Sequence, residues 1–545
     1  MKKYAAIFIV LVFVGLLFGQ IEDQEKADFV LTNGKVFTVS EKNPEVQAIA
    51  SKDGKIIALG TNSEIKAYIG PSTKVLDVHR KLVIPGFIDA HCHFSSGGRS
   101  LSMLDLSSAT SVAHIQAKIA ERIKETPERK LVSGYASFPN PSLYGELGWP
   151  TKEILDKVSP HNPVIMRRRG GHAVWVNSVA LNMSNITKES EVPEGGEIVI
   201  DPKTGEPTGI LKEAAQSLIK VWSDTNPKED IERALKHAAS LGITGIHTGS
   251  YLKEIEVYKE LRDEGKLTLR VYGWLPISGL DEYIEKGIKQ GQGDYMVKVG
   301  FLKCYIDGTI GVRSALMFEP FTEEPGNTGL AQMKEEEFYA LVEKAHKNGY
   351  QVGVHAIGDK AVHWVLNAVE RAQEKHGKKG LRHRVEHNTV NTLADTERFK
   401  ELGVIASMQP TITGAEMYKR QRLGLERARR VDMVRTLLTK GAVLCWGTDW
   451  PVSRLNPMFN LNELIYRVYP EQRLTMAEAI KYYTLGSAYA SFEEDIKGTL
   501  EVGKLADMVV LSENLLRPNP KNIPLIKVLY TILGGKIVYD KSKAE

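Results

Sequence analysis

The chain has 545 residues, 42% of them hydrophobic and 25% charged, with a formal net charge of +4. That length calls for several domains or one large barrel with additions. A charge so near balance, with basic runs no longer than those at Arg167–Arg169 and Arg427–Arg430, argues against nucleic acid as a partner and leaves a small-molecule substrate as the expectation.

The chain opens on MKKYAAIFIVLVFVGLLFGQ, in which Lys2 and Lys3 precede an apolar run without charge from Tyr4 to Gly19. This is the pattern of an export signal, slightly short for a spanning helix. Residues 1–20 are therefore set apart as a signal peptide or N-terminal anchor. The expected location is periplasmic or extracellular, with membrane anchoring if the segment is retained. Gly19 offers a small residue for cleavage, but no Ala-x-Ala pattern and no following cysteine are present. The three cysteines, Cys92, Cys304 and Cys445, are too widely spaced to form a disulfide framework and read as buried thiols.

Residues 27–84 are short β-rich pieces, DFVLTNGKVFTV, AIASKDGKIIALG and TKVLDVHRKLVIPG, in which Asn-Gly and Asp-Gly mark hairpins. Similar pieces return in 497–545 as GTLEVGKLADMVVLSEN and VLYTILGGKIVYD. One small β domain built from both ends of the chain is expected.

Between them, residues 85–496 alternate apolar strands with helical patterns. The eight strands are VIPGFIDAH, ITGIHTG, LTLRVYGWL, VKVGFLKCYID, QVGVHAIGD, RHRVEHN, VIASMQP and AVLCWGTDW, and Thr475 and Glu478 then form a capping box. This order predicts a (β/α)8 barrel. A doubly wound sheet is the alternative, without a Gly-rich phosphate loop to support it. Roughly 150 residues separate the first strand from the second, too many for a crossover, so an inserted subdomain is expected over about 97–235.

The polar residues of these strands form a pattern. His91 and His93 end strand one, Lys303 lies near the end of strand four, His355 ends strand five, His387 strand six and Asp449 strand eight. Catalytic groups of barrel enzymes sit at those ends. Alone, each has an ordinary explanation: a hydrogen-bonded histidine, an N-cap aspartate, a snorkelling lysine. Six such residues on one rim point to a site. Alternation turns Cys92 away from the histidine pair and Cys304 away from Lys303, and places Cys445 inside the barrel below Asp449. Imidazoles with a carboxylate suit zinc, and also iron or manganese. A protonated lysine binds no metal. Lys303 is therefore either carboxylated, with oxygens that bridge two ions, or a charged group holding a substrate carboxylate or an acidic neighbour; the residues alone leave both open.

PGFIDAHCHF, the His355 and His387 strands and GTDWP together resemble the amidohydrolase superfamily. RRRGGHAVWVNSVAL, DPKTGEPTGILKE, VKVGFLKCYIDGTIGVRSA, QVGVHAIGDKAV, RHRVEHN and GKLADMVVL narrow the resemblance to the amidohydrolase-3-type branch, which includes enzymes similar to N-substituted formamide deformylase. The resemblance implies an α/β fold: a distorted (β/α)8 TIM barrel with a small flanking β-sandwich from both termini and an insert after strand one. It implies a metal-dependent hydrolase, with His91 and His93 on the more buried divalent ion, His355 and His387 on a second, N6-carboxylated Lys303 between them, and Asp449 as both ligand and acid/base. Zinc, one or two ions per chain, is the expected metal and a homodimer the expected assembly. His172, in GGHA, would reach substrate from the insert.

The implied reaction is cleavage of a non-peptide C–N bond, in an amide, formamide or cyclic amide, by metal-activated hydroxide. The alternatives are an ester or carbamate hydrolase, or a metal-binding barrel without turnover. GTDWP departs from the commoner Gly-Ser-Asp, and Trp450 is expected to narrow the pocket mouth. AIGDKAV lacks the glutamate that family deaminases place just after this histidine, which argues against nucleobase deamination; Asp359 is expected to cap or brace the following helix. No Gly-x-Ser-x-Gly elbow suggests a serine nucleophile.

Overall fold

Parallel strands buried on both faces need near-continuous apolar runs, and the middle of the chain supplies eight. In the computed structural model, residues 25–543 are described apart from 107, 139, 146–147, 169–172, 194–195, 222–225, 250, 412–415 and 518–521. The leader at 1–20 thus lies outside the described residues. No helix among those described is long and apolar enough to cross a membrane. The chain forms two compact units: one runs to Cys92 and resumes at Lys236, and the other is His93–Leu235.

In the first unit, one sheet holds β1 (Phe87–Cys92), β2 (Ile243–Gly249), β3 (Arg270–Pro276), β4 (Val297–Tyr305), β5 (Val352–Ala356), β6 (Arg384–His387), β7 (Ile405–Met408) and β8 (Val443–Trp446), neighbours in chain order. Each pairs in parallel with the next. β1 and β8 also touch, and the backbone N–H of Asp449 donates to His91 O at 2.7 Å. The sheet is a nearly closed barrel, and all eight predicted strands are in it. Amphipathic helices cover it. Helix Asp359–His376 buries Val362, Val365, Leu366 and Val369 on one stripe. Helix Glu335–Lys347 carries Glu335–Glu337 in its first turn and Lys344, His346 and Lys347 in its last, complementing its dipole.

Two smaller sheets of the same unit draw on both ends of the chain. One orders Lys55–Gly60, Ala48–Lys52, Phe29–Thr32 and Lys74–Asp77; the other orders Lys536–Asp540, Val528–Leu533, Met508–Leu511, Leu82–Pro85, Lys35–Phe37 and Glu45–Val46. Their common core joins Phe29, Leu31, Ile49 and Val83 to Met508, Val510 and Ile532. Asp53-Gly54 and Gly534-Gly535 turn hairpins, with Lys52 opposite Lys55 and Leu533 opposite Lys536. Asn33-Gly34 does not, contrary to the expectation: Phe29–Thr32 and Lys35–Phe37 belong to different sheets. Asn33 is left-handed (φ 55°), its amide donates to Asn62 Oδ1 at 2.8 Å and its side chain to Asp77 Oδ2 at 2.7 Å. Those bonds hold a crossing between layers in place of a ladder.

Charge fixes the joints. Arg270, at the start of β3, donates from Nε and Nη2 to the two carboxylate oxygens of Asp507 at 2.6 and 2.8 Å. Glu493 is buried between Lys298 Nζ, at 2.8 Å, and Lys497 Nζ, at 2.5 Å. Burial by itself would raise the Glu493 carboxyl, but Lys497 and Lys298 outweigh it and hold the group down at about 2. A glutamate in the unfolded chain titrates near about 4.3. The folded value is the lower, so the contribution to stability is complete above about 4.3 and drains away as pH falls toward 2. Glu493→Gln is expected to lower the melting temperature at pH 7 and to flatten its acid dependence in that window. Parallel melting profiles for variant and wild type would refute this.

The second unit is a mixed sheet in the order Gly196–Ile200, Pro207–Glu213, Ala173–Val176, Val164–Arg168, Val132–Ala136 and Leu104–Asp105. Alternation splits its strands between two cores. Val164, Met166, Trp175 and Ile210 face helix Val112–Lys124; Ile165, Val174, Val176 and Leu211 face helix Ser178–Met183.

Candidate active site

His91 ends β1 with no exposure of its side chain. Its Nε2 lies 3.5 Å from Asp449 Oδ1 and 3.3 Å from Lys303 Nζ. His91, His93 and Asp449 bring one ligand atom each to within 4.8 Å of one another. Asp449 stands in the left-handed region (φ 54°), a conformation costly for a residue other than glycine and typical of functional positions. The loop before it presses on β1: a Cβ on Gly447 would lie 2.6 Å from the His91 backbone, so only glycine fits. Asp89 ties the two segments, accepting from His91 N at 3.0 Å and from Thr448 N and Oγ1 at 3.1 and 2.6 Å. Burial, only partly offset by these bonds, pushes the Asp89 carboxyl up to about 7.

Glu386 lies beneath. Its Oε2 is 2.5 Å from His91 Nδ1 and accepts from Ser407 Oγ at 2.7 Å; its Oε1 pairs with Arg384 Nε at 2.7 Å. Arg384 also donates to Ala90 O at 2.8 Å, to Ser407 Oγ at 2.9 Å and to His247 Nδ1 at 2.9 Å. This buried layer makes His91 Nδ1 the donor to Glu386 and leaves Nε2 to the site. Metal-binding histidines are oriented in that way.

Strict alternation would send His387 to the face opposite Glu386. Its backbone is left-handed instead (φ 72°), and the ring turns in, 4.4 Å from the His355 ring and 5.0 Å from the His91 ring between centroids. His355 Nε2 is 3.1 Å from Gly308 O. Burial, then the Lys303 charge, lowers His355 to about 4; burial and the neighbouring cationic groups hold His387 well below its usual range. Both imidazoles are neutral, as ligands must be. Lys303 is 2% exposed. Its Nζ lies between the Trp274 and Tyr305 rings, 5.3 and 5.1 Å from their centroids, and burial lowers it to about 8.

His91, His93, Lys303, His355, His387 and Asp449 are thus gathered at the carboxyl ends of five strands. Three imidazoles, a fourth from His93 and a carboxylate are a donor set that fits zinc, iron or manganese. His172 lies outside the described residues. Trp450 does not narrow a mouth: it is 4% exposed with its ring 5.7 Å from that of His237, since a large apolar ring gains more from burial than from standing in water. Asp359 is not the cap, which is Gly358; from the first turn of that helix it accepts from Lys360 N at 2.9 Å and from Phe318 N at 3.0 Å, bracing the helix start against the loop after β4. The three cysteines are buried and free. Cys445 sits inside the barrel beside Ile405 and Ala90.

The sequence reading missed the layer of Glu386, Arg384 and Ser407, and also Asp89 and Asp307. The last accepts from Leu316, Ile357 and Gly358 N–H groups at 2.9, 3.1 and 2.8 Å, and so holds the loop after β4 against the end of β5. Asp89 carried a legible signal, a carboxylate two residues before His91 in the same buried strand. Glu386 carried one with Arg384, an opposite-charge pair two apart in a short buried strand. Asp307 carried none, because its partners come from distant loops.

The sequence profile of the Amidohydrolase family matches residues 74–539. The chain is 32% identical to Protein LONG AFTER FAR-RED 3 of Arabidopsis thaliana, over 94% of this chain and 92% of that one. It is 31% identical to Putative amidohydrolase YtcJ of Bacillus subtilis, over 93% and 99%, and 26% identical to N-substituted formamide deformylase of Arthrobacter pascens, over 94% and 99%. Among solved structures, an uncharacterized metal-dependent hydrolase from Pyrococcus furiosus aligns with a TM-score of 0.75 and 29% identity, covering 90% of this chain and all of that one.

Proposed function

Since the chain belongs to the amidohydrolase family, with its metal-dependent hydrolases, we propose that it hydrolyses a non-peptide C–N bond in an amide, formamide or cyclic amide, with zinc as the metal. The observation that carries this reading is the convergence of His91, His93 and Asp449 within 4.8 Å, beside neutral His355 and His387. The similarity to N-substituted formamide deformylase supports a C–N bond as the target.

His91 and His93 would hold one ion through their imidazoles, and His355 and His387 a second. Lys303 is buried, and no carboxylate among the described residues pairs with it. Glu386 and Asp449 lie near enough to favour its charge, yet burial outweighs them and holds the ammonium down at about 8. Addition of carbon dioxide to the neutral amine, with a proton released to solvent, would replace the ammonium by an anionic carbamate with two oxygens at the same site. A bound divalent ion contributes Lewis acidity and a water acidic enough to lose its proton near neutral pH. Asp449 then has two tasks: its carboxylate takes that proton and afterwards delivers it to the departing nitrogen. The bond from oxygen to the acyl carbon is made first, the bond from nitrogen to that carbon breaks once Asp449 has protonated the nitrogen, and no side chain is acylated. The layer of Glu386, Arg384 and Ser407 keeps His91 in one tautomer throughout.

Metal analysis of the purified protein, beside a panel of N-formyl, N-acyl and cyclic amides, tests the reading. About two ions per chain, amide turnover, loss of turnover on chelation and its return with zinc are expected. No bound metal after zinc or manganese is supplied, or metal without amide turnover, would overturn it.

A further inference from the structure

Tyr305 closes β4 two residues after Lys303, so alternation sets both side chains on one face. Lys303 is 2% exposed, whereas Tyr305 is 41% exposed. The Tyr305 ring centroid lies 5.1 Å from Lys303 Nζ and 5.5 Å from the His355 ring. One side of this ring therefore meets two of the site's groups while much of the rest meets solvent. Trp274, the other ring beside Lys303, is 5% exposed and stacks on Phe301, so it is packing.

Tyr305 is also held in place. Ile306 N donates to His355 O at 3.2 Å, and Asp307 accepts three backbone N–H groups from the loop after β4 and the end of β5. Ile310, Met317, Phe321 and Ile357 form a core under that loop. A rigid aromatic ring presented to solvent at a site offers large contact area for little ordering entropy. The ring borders Lys303 and His355, and Tyr305 is close enough to Asp449 to feel its charge, so Tyr305 flanks the scissile bond of a bound substrate.

We propose that Tyr305 is a specificity-determining residue: its ring forms a wall of the substrate pocket beside the scissile bond and selects substrates that carry a flat aromatic group there over those with a small alkyl group. This rests on the amide-hydrolase reading for the placement of the carbonyl. The test is calorimetric binding of benzohydroxamate and acetohydroxamate to the zinc-loaded protein, beside turnover of benzamides and acetamides. Wild type is expected to bind benzohydroxamate about tenfold more tightly than acetohydroxamate, the size of one aromatic contact. Tyr305→Ala should bring that ratio near one at unchanged zinc content, and Tyr305→Phe should restore it. Amide turnover with a ratio insensitive to Tyr305→Ala overturns the inference and spares the amide reading. A Tyr305-dependent ratio without amide turnover keeps the aromatic wall and sinks the amide reading. Failure of both hydroxamates to bind overturns the inference, as does a Tyr305→Phe ratio matching that of Tyr305→Ala.

Discussion

Asp449→Asn is expected to lower kcat by about 10³-fold, within the 10²–10⁴ range for loss of a positioned general acid/base, with a much smaller change in KM. The amide oxygen of asparagine still faces His91 Nε2, where Asp449 Oδ1 lies at 3.5 Å, so much of the metal should remain. Asparagine neither accepts the water proton nor returns it to nitrogen. The left-handed backbone at this position (φ 54°) suits asparagine as well as aspartate, so folding should be little affected. Steady-state kinetics with metal analysis on the same preparation decide it. A variant that turns over at the wild-type rate with full metal content would remove Asp449 from proton transfer.

Glu386→Gln is expected to act on the metal rather than on the proton. Glutamine cannot accept from both His91 Nδ1 and Ser407 Oγ while facing Arg384 without presenting its own amide hydrogens to one of them. Arg384, with no exposure of its side chain, would lose its counter-charge. Loss of a partner behind a metal-binding histidine weakens metal affinity by about 10–100-fold, and breaking a buried pair costs roughly 3–5 kcal/mol of stability. Competition against a chelator of known affinity reads the first effect and thermal unfolding of the metal-free protein the second. Unchanged metal affinity would show that Glu386 does not position His91. Unchanged stability would show that Arg384 finds another partner.

These two residues differ in how legible they were. Asp449 was readable because it follows a strand and opens a turn in a recognisable motif, GTDWP. Glu386 stood beside a readable histidine, yet its role depends on His91, which is 295 positions away in the chain. His387 was placed in the site by its strand end, although ideal alternation would have turned it out. The left-handed backbone that brings it in (φ 72°) is a local departure that periodicity does not encode.

The amino-acid sequence by itself determined the eight strands, their order and the rim on which six polar residues stand. Those features follow from local periodicity, and a parallel barrel places consecutive strands side by side. Only the tertiary structure decided that Asn33-Gly34 crosses between sheets, that Trp450 is buried against His237, and that Glu386, Arg384 and Ser407 orient His91. Each depends on partners remote in sequence, met where burial leaves a polar group or a large ring no alternative but to find a complement.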